Sequence, residues 1–176
     1  MIPRLGPEEL APSVAALLRP RVERLGYLGE FFRCAAHQPA ALISFLAFTE
    51  DLKRALSDRI TEMVALTVST ELDNAYERHQ HERLCLKLGL DEAWIRAVEA
   101  RDSRQPLSDT DRCVQDLTLA VLRRHGKNTT GELEALVKAI GHEQAIAVLM
   151  LIGRYVTHAL MANALDLAPP VPSPLP

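Results

Sequence analysis

The sequence contains few residues of the kinds that build disulfide frameworks, redox sites or β-sheets. It has three cysteines in 176 residues, and aromatic side chains make up 5% of the chain. Cys34, Cys85 and Cys113 are far apart and form no Cys-x-x-Cys pair, which excludes a zinc ribbon and a thioredoxin-type redox motif. An odd, scattered set of cysteines is typical of a reducing compartment, so we expect a cytoplasmic protein.

An excess of basic residues is also missing. The formal net charge is −3 and the isoelectric point is about 6.1. The sequence therefore predicts no nucleic-acid or membrane-surface partner, because both require a basic face. Residues 1–7 lack the apolar core of a secretory signal. The longest apolar run, Ala145 to Gly153, is shorter than the roughly 18–20 residues that span a membrane.

Patterns that indicate β-strands are nearly absent, whereas apolar residues recur at helical spacing along most of the chain. We therefore predict an all-α fold with seven to nine helices. A chain of this length buries roughly 70% of its unfolded surface, so its core needs no metal or disulfide bond. We divide it into an N-terminal arm, residues 1–25, a helical domain, residues 26–166, and a Pro-rich tail, residues 167–176.

Prolines and capping residues predict where the helices begin and end. Because an interior proline costs a helix about 3 kcal/mol, Pro12 and Pro20 should break the arm. The spacings Ser108-x-x-Asp111 and Thr129-x-x-Glu132 resemble capping boxes. The Pro-rich tail should be an extended strap or a frayed end, although it could instead dock a partner, and residues 100–107 should be a loop. The predicted helices are residues 30–37, 39–56, 57–72, 75–88, 92–99, 108–125, 129–140 and 142–165.

The stretch from Asn74 to His81 carries the clearest chemical pattern. Glu77 and His81 are four residues apart, so they share one face of a helix. A carboxylate beside an imidazole orients the ring and favours its protonated form, as in general acid–base pairs. Surface pairs of this spacing are also common. Glu62 lies in an otherwise apolar helix three residues after Arg59, where it either forms a rim ion pair or joins the same site.

Four segments together resemble the carboxymuconolactone decarboxylase family, which also contains the AhpD-like alkylhydroperoxidases. The resemblance covers Gly26 to about Leu165, and the segment with Tyr76, Glu77 and His81 is its most specific part. The four segments are Gly26-Tyr27-Leu28 with Phe31 and residues 36–39; residues 56–64, which contain Arg59 and Glu62; residues 76–81 with Gly89-Leu90; and Gly153-Arg154-Tyr155 with Asn163.

This resemblance implies an AhpD-like fold and decarboxylation of a small carboxylated lactone or a similar organic acid, without cofactor or metal. His81 would move the proton, and Glu77 and Glu62 would orient the imidazole of His81. Tyr76 would bind a substrate oxygen. Arg59 or Arg78, from the same or a neighbouring subunit, would bind the anionic group. The family also implies a homo-oligomer, a trimer or hexamer, with sites near subunit contacts.

The sequence departs from the family pattern at the positions where the peroxidase branch has its cysteine pair. Asn74 and Glu77 occupy those positions, so the dithiol chemistry has lost both thiols. Two alternatives remain open: a peroxidase-like enzyme that uses the single thiol of Cys85, and a binding protein without turnover. The spacing Glu-x-x-His of ferritin-like metal sites is missing. We interpret His158, three residues after Tyr155, as a core or rim residue.

Overall fold

The secondary structure of the computed structural model, which describes residues 2–102 and 106–175, is helical throughout. Those residues form eight α-helices, one 3₁₀ turn at Pro7–Glu9 and no β-strand, which confirms the predicted all-α fold. Residues 103–105 of the predicted loop 100–107 lie outside the described residues. The helices are α1 Pro12–Leu25, α2 Glu30–Ala35, α3 Pro39–Ala55, α4 Asp58–Glu71, α5 Ala75–Lys87, α6 Glu92–Ala100, α7 Asp109–Arg124 and α8 Thr130–Ala164.

Helix α4 lies at the centre of the fold. It begins after Ser57, whose hydroxyl oxygen accepts a hydrogen bond from the backbone N–H of Ile60 at 3.3 Å. All residues from Ile60 to Ser69 are buried, because α4 packs against α5, α7 and α8. A helix buried on all sides must give every polar side chain a partner, and Glu62 is its one charged residue in this stretch.

The start of α5 is fixed by Asn74, which ties it to α8. The Asn74 side-chain oxygen accepts from the backbone N–H of Glu77 at 2.8 Å, as an N-cap does. Its side-chain nitrogen donates to the backbone oxygen of Ala159 at 3.0 Å and to the side-chain oxygen of Asn163 at 2.6 Å. The first turn of α5, which contains Glu77, is therefore held against α8.

Helix α1 differs from the prediction that two prolines break it. Pro12 is its first residue, where the missing N–H costs nothing, and Pro20 lies in its interior. The penalty of an interior proline is offset by tertiary packing. Val14 and Leu18 are fully buried, in a cluster with side chains of α2 and α3.

Helix α8 is interrupted at Gly141, whose φ of 84° and ψ of 167° are not helical. This break agrees with the two predicted helices on either side of it. The predicted capping box at Thr129 is wrong: its side chain makes no cap bond, and its hydroxyl donates instead to the backbone oxygen of Gly126 at 3.5 Å. Glu132 pairs with Arg124.

By length and composition α8 could cross a membrane, although no uninterrupted apolar run is long enough. An 18-residue window has a mean hydropathy of 1.6, and 56% of that window is buried inside the protein. It packs against α3, α4 and α7. Its apolar character is that of the core helix of this domain.

Candidate acid–base site

Three helices bring five buried ionisable side chains together, and we call this group the carboxylate–histidine cluster. Each member is at most 8% exposed. The cluster lies between two apolar cores, one around α4, α6, α7 and α8 and the other around α1, α2 and α3. Its members are Glu62 of α4, Glu77 and His81 of α5, and Arg154 and His158 of α8.

His81 is held by both carboxylates. Its Nδ1 lies 2.6 Å from Glu62 Oε2, and its Nε2 lies 3.8 Å from Glu77 Oε2. Burial alone would lower the pKa of His81, but the Glu62 carboxylate, and then that of Glu77, outweigh burial and raise it to about 9. The imidazole therefore carries a proton on each nitrogen at neutral pH.

Glu77 lies between His81 and two residues of α8. Its Oε2 is 3.4 Å from Arg154 Nη1 and 2.9 Å from His158 Nδ1. Burial alone would raise the pKa of Glu77, but the His158 and His81 rings overcome this and lower it well below its ordinary value. Glu77 is therefore an ionised carboxylate in a buried position, which is stable only with partners of opposite charge.

His158 is buried in the cluster, which agrees with the core position that the sequence suggested, and it also lines the smaller cavity. Burial lowers its pKa, and the nearby Glu77 carboxylate does not reverse that effect. Its ring centroid is 3.6 Å from that of Phe31. Its Nε2 has no hydrogen-bond partner among the described residues. That nitrogen is therefore free to form a hydrogen bond next to the charged pair of Glu77 and Arg154.

Arg154 supplies the buried cation that sequence reasoning did not identify as a site residue. Its Nε donates to the hydroxyl of Thr49 at 3.0 Å, and its guanidinium lies 4.3 Å from the ring centroid of Tyr155. The indication was present in the sequence, because Arg154 is the one charged residue between Glu143 and Asp166. Only the fold shows that it meets Glu77.

The two arginines predicted to bind substrate lie elsewhere. Arg59 donates to both carboxylate oxygens of Asp111 and lies 4.8 Å from the ring centroid of Trp94. Arg78 pairs with Glu82 at 3.5 Å. Neither lines the two cavities that open onto the cluster. Arg59 is thus committed to Asp111 and Arg78 to Glu82, and helical periodicity alone could not reveal these contacts.

Tyr76 lies where the prediction expected it, beside the cluster, and it also has a structural contact. Its hydroxyl oxygen accepts from the backbone N–H of Phe31 at 3.1 Å. A Cβ at Gly29 would come within 2.9 Å of that oxygen, so a larger residue there would displace the phenol. The phenol thus joins α5 to α2, and its proton remains available for a further hydrogen bond.

Cys85 follows His81 by one turn and is fully buried. Its sulfur lies 3.8 Å from Glu62 Oε2. Burial and the Glu62 carboxylate both raise the pKa of the thiol. A thiol in such surroundings stays protonated and is a poor nucleophile.

Two adjoining cavities open onto the cluster. The smaller cavity has a volume of about 280 Å³ and is lined by Tyr76, Glu77 and His81, whereas the larger cavity has about 640 Å³ and is lined by Glu62. They share the lining residues Arg21, Arg24, Lys53 and Leu84. Lysines and arginines outnumber the single carboxylate, Glu77, in the lining of the smaller cavity; they are Arg21, Arg24, Lys53, Arg83, Lys87 and Arg154.

The Pro-rich tail closes one side of the smaller cavity. Val171 lines the cavity, and its backbone oxygen lies 3.3 Å from His79 Nδ1. The backbone oxygen of Pro172 accepts from Arg83 Nε at 3.0 Å, and the Ser173 hydroxyl bonds to Glu82. The described part of the tail is a strap on α5 and agrees with the first of the two predicted forms.

No group of three or more His, Cys, Asp or Glu side chains among the described residues is arranged to hold a metal ion. In the carboxylate–histidine cluster this follows from the contacts already given. Glu62 and Glu77 approach opposite nitrogens of His81, so a single ion could not contact both carboxylates and the ring.

Comparison with known proteins shows similarity at the level of structure. No protein-family profile and no curated protein sequence matches the chain. The alkylhydroperoxidase AhpD core of a peroxidase-related protein from Ralstonia eutropha JMP134 matches with a TM-score of 0.84 and 18% identity, over 95% of this chain and 90% of that one. A peroxidase-related protein from Silicibacter sp. TM1040 matches with a TM-score of 0.80 and 20% identity, over 96% and 89% of the two chains.

A debrominase in complex with 2,3,4-tribromopyrrole has a similar fold, with a TM-score of 0.81 and 13% identity over 96% of this chain and 90% of that one. Sequence identities this low establish the fold and nothing finer. The chain therefore has an AhpD-like helical fold.

Proposed function

We propose that this AhpD-like domain is an enzyme that performs cofactor-independent acid–base chemistry, a decarboxylation of a small carboxylated lactone or a similar organic acid. The observation that carries the proposal is His81, a buried imidazole whose pKa is raised to about 9 and which lines a cavity rich in cations. A histidine that holds its proton at neutral pH suits the role of general acid.

In the proposed reaction the bond between a carbon of the substrate and its carboxylate breaks, and CO₂ leaves. The electron pair stays on that carbon and is stabilised by the neighbouring carbonyl. The Nε2–H of His81 then gives its proton to the carbon, and water restores the proton to the imidazole. The step needs no oxidant or reductant, because the pair of electrons left by CO₂ is used in the new C–H bond.

The residues around His81 support this role in different ways. Glu62 accepts the other ring proton at 2.6 Å, which fixes the orientation of the imidazole. Glu77 stabilises the charged ring and is itself held by Arg154. The buried Tyr155 hydroxyl has no partner among the described residues and its side chain lines the same cavity. A substrate oxygen would satisfy it.

The cations around the cavity support an anionic substrate, with different residues from those that the sequence suggested. Lys53 makes no hydrogen bond or ion pair with any other described residue, and it lines both cavities. Burial lowers the pKa of its ammonium group, although the Glu62 carboxylate opposes that effect. A substrate carboxylate beside Lys53 would restore the stabilisation that this cation loses on burial.

The alternative of a single-thiol peroxidase is weakened by the surroundings of Cys85. That chemistry needs a thiolate, and both burial and the Glu62 carboxylate raise the pKa of this thiol. If the enzyme nevertheless consumed peroxide, and Cys85→Ser stopped it, the decarboxylase proposal would be wrong.

We also propose that the chain self-associates through α8; the family resemblance implied a trimer or hexamer but no particular contact surface. Ile146, Met150 and Leu160 are about half exposed, at 55%, 46% and 53%, and Gly153 and Thr157 are exposed between them. This spacing alternates four and three residues, as in a coiled-coil seam. Gly153 lies midway, so an antiparallel pair related by a twofold axis at Gly153 would place Ile146 against Leu160 of the second copy.

The enzymatic proposal is tested by incubating the protein with a panel of muconolactone-type acids and measuring CO₂ release and product mass. We expect turnover by the wild type and by Cys85→Ser, and a loss of at least about 100-fold in His81→Gln with the helical circular dichroism spectrum retained. An acid that binds but stays unchanged on long incubation would instead indicate a binding protein. Equal turnover by His81→Gln would refute the site.

A further inference from the structure

The larger cavity has a composition that acid–base chemistry on a small polar acid does not explain. Its volume of about 640 Å³ lies within the roughly 300–1,000 Å³ typical of pockets for organic ligands. The smaller cavity, which contains His81, has about 280 Å³ and would hold a small acid by itself. The larger cavity therefore has room for a further part of the same ligand.

Apolar side chains from three helices form one wall of the larger cavity. Leu17 and Leu18 come from α1, Leu46 and Ala47 from α3, and Leu84 from α5, with Leu88 directly after the end of α5. Leu17 and Leu88 are 44% and 39% exposed, although such side chains are usually buried. An apolar group that covered this wall would remove that surface from water.

The cations of the site lie at the boundary between the two cavities. Arg21, Arg24 and Lys53 line both. The ion pair of Arg21 with Glu50 is long, 3.4 Å, and its guanidinium also lies 4.9 Å from the ring centroid of Phe32. Lys53 makes no hydrogen bond or ion pair with any described residue. A carboxylate at this boundary would thus have His81 and Glu77 on one side and the leucine wall on the other.

We infer that the ligand is an amphipathic carboxylate whose acid group binds at Lys53 and Arg21 and whose apolar arm lies along the leucine wall of the larger cavity. This inference rests on the proposed function, because it gives that site its substrate class. It differs from the small polar lactone in requiring a hydrocarbon or aryl substituent of several carbons.

The inference is tested by calorimetric binding of acetate, butanoate, hexanoate and octanoate, all below their micelle concentrations. Each methylene that enters an apolar site contributes about 0.8 kcal/mol, so affinity should rise roughly fourfold per added methylene. Methyl octanoate, which lacks the charge, should bind at least about tenfold more weakly than octanoate. Equal affinity across the acid series would overturn the inference.

Two matched variants distinguish binding in the cavity from non-specific hydrophobic binding. Leu17→Asp introduces a charge into the wall at an exposed position and should lower octanoate affinity by about tenfold or more, with acetate unchanged. Leu86→Asp alters a leucine of similar exposure, 41%, that does not line either cavity, and should change neither. An equal loss of octanoate binding in both variants would refute the leucine wall as the binding surface.

Binding and turnover separate this inference from the proposed function. The chain-length dependence should persist in His81→Gln, since that variant keeps the wall and the cations. If no acid is turned over but affinity still rises with chain length, the ligand class stands and the catalytic proposal falls. If short polar acids are turned over and affinity does not rise with chain length, the catalytic proposal stands and the ligand class falls.

Discussion

The proton on His81 links the chemistry of the site to the stability of the fold. Its pKa is raised from 6.5 to about 9 in the folded protein, so the folded state binds this proton more tightly than the unfolded chain does. The resulting stabilisation is complete below pH 6.5 and is lost as pH rises through about 9. At its upper limit it amounts to about 3 kcal/mol.

We therefore expect the free energy of unfolding, measured with urea, to fall between pH 6.5 and pH 9.5, and to fall less in His81→Gln. The same proton should govern activity, so turnover should decline as pH rises through about 9. An unfolding free energy that increased over this range in the wild type would contradict the assigned protonation of His81.

Arg154 and Glu77 form a buried pair whose two members depend on each other. Removal of one partner leaves the other charge buried, which costs about 3–5 kcal/mol. We expect Arg154→Met to destabilise the protein by that amount, whereas the double variant with Glu77→Gln should lose clearly less than the sum of the two single changes. Urea unfolding of all four proteins measures the coupling.

The exposed ion pair of Arg123 with Glu71 is the control for that cycle. The Arg123 guanidinium donates to the Glu71 carboxylate at 2.7 Å, but the Arg123 side chain is half exposed. Arg123→Met should therefore cost less than about 1 kcal/mol of stability. Equal effects of the two arginine substitutions would show that Arg154 is not buried in its pair.

At the scale of single elements, the break in α8 depends on one glycine. Gly141 has φ 84° and ψ 167°, a conformation that side chains with a Cβ rarely adopt, although the space around it is open. Gly141→Ala should therefore cost about 1–3 kcal/mol through backbone strain alone.

The matched control is Gly131, which lies near the start of the same helix, is exposed and has open space for a Cβ. There Gly131→Ala should stabilise the protein by about 0.4–1 kcal/mol, because the unfolded chain loses freedom. Thermal unfolding distinguishes the two directions. A neutral or stabilising Gly141→Ala would mean that α8 is continuous in solution.

At the scale of the whole molecule, the proposed self-association depends on the exposed face of α8. Gly153→Arg would put a charge at the proposed twofold axis, where a side chain has open space in the isolated chain. We expect this variant to be a monomer by light scattering while Gly131→Arg keeps the mass of the wild type. A wild type that is itself monomeric at high concentration would refute the α8 interface.

The sequence predicted the helices well because their cues are local. The capping box predicted at Ser108 and Asp111, for example, is present at the start of α7. The continuous α1 was missed because its proline is tolerated through burial of Val14 and Leu18, a contact between distant segments that local pattern does not contain.

The candidate site was predicted only in part, because some of its residues meet through contacts between distant segments. Glu77 and His81 share a helix face, and Glu62 stood out in an apolar helix, so these residues could be named from spacing and resemblance. Arg21, Lys53 and Arg154 reach the site from α1, α3 and α8. Their convergence is a property of tertiary packing, and no periodicity in a single sequence reports it.

The residues at positions 74 and 77 also limit how this chain could be converted to thiol chemistry. Asn74→Cys would remove the cap of α5 and its two bonds to α8, and Glu77→Cys would leave Arg154 without its carboxylate. A Cys-x-x-Cys pair therefore could not be reached by these two substitutions one at a time without a strongly destabilised intermediate. By the same argument Arg154 and Glu77 would have to be replaced together, so a route from this site to a dithiol pair involves α8 as much as α5.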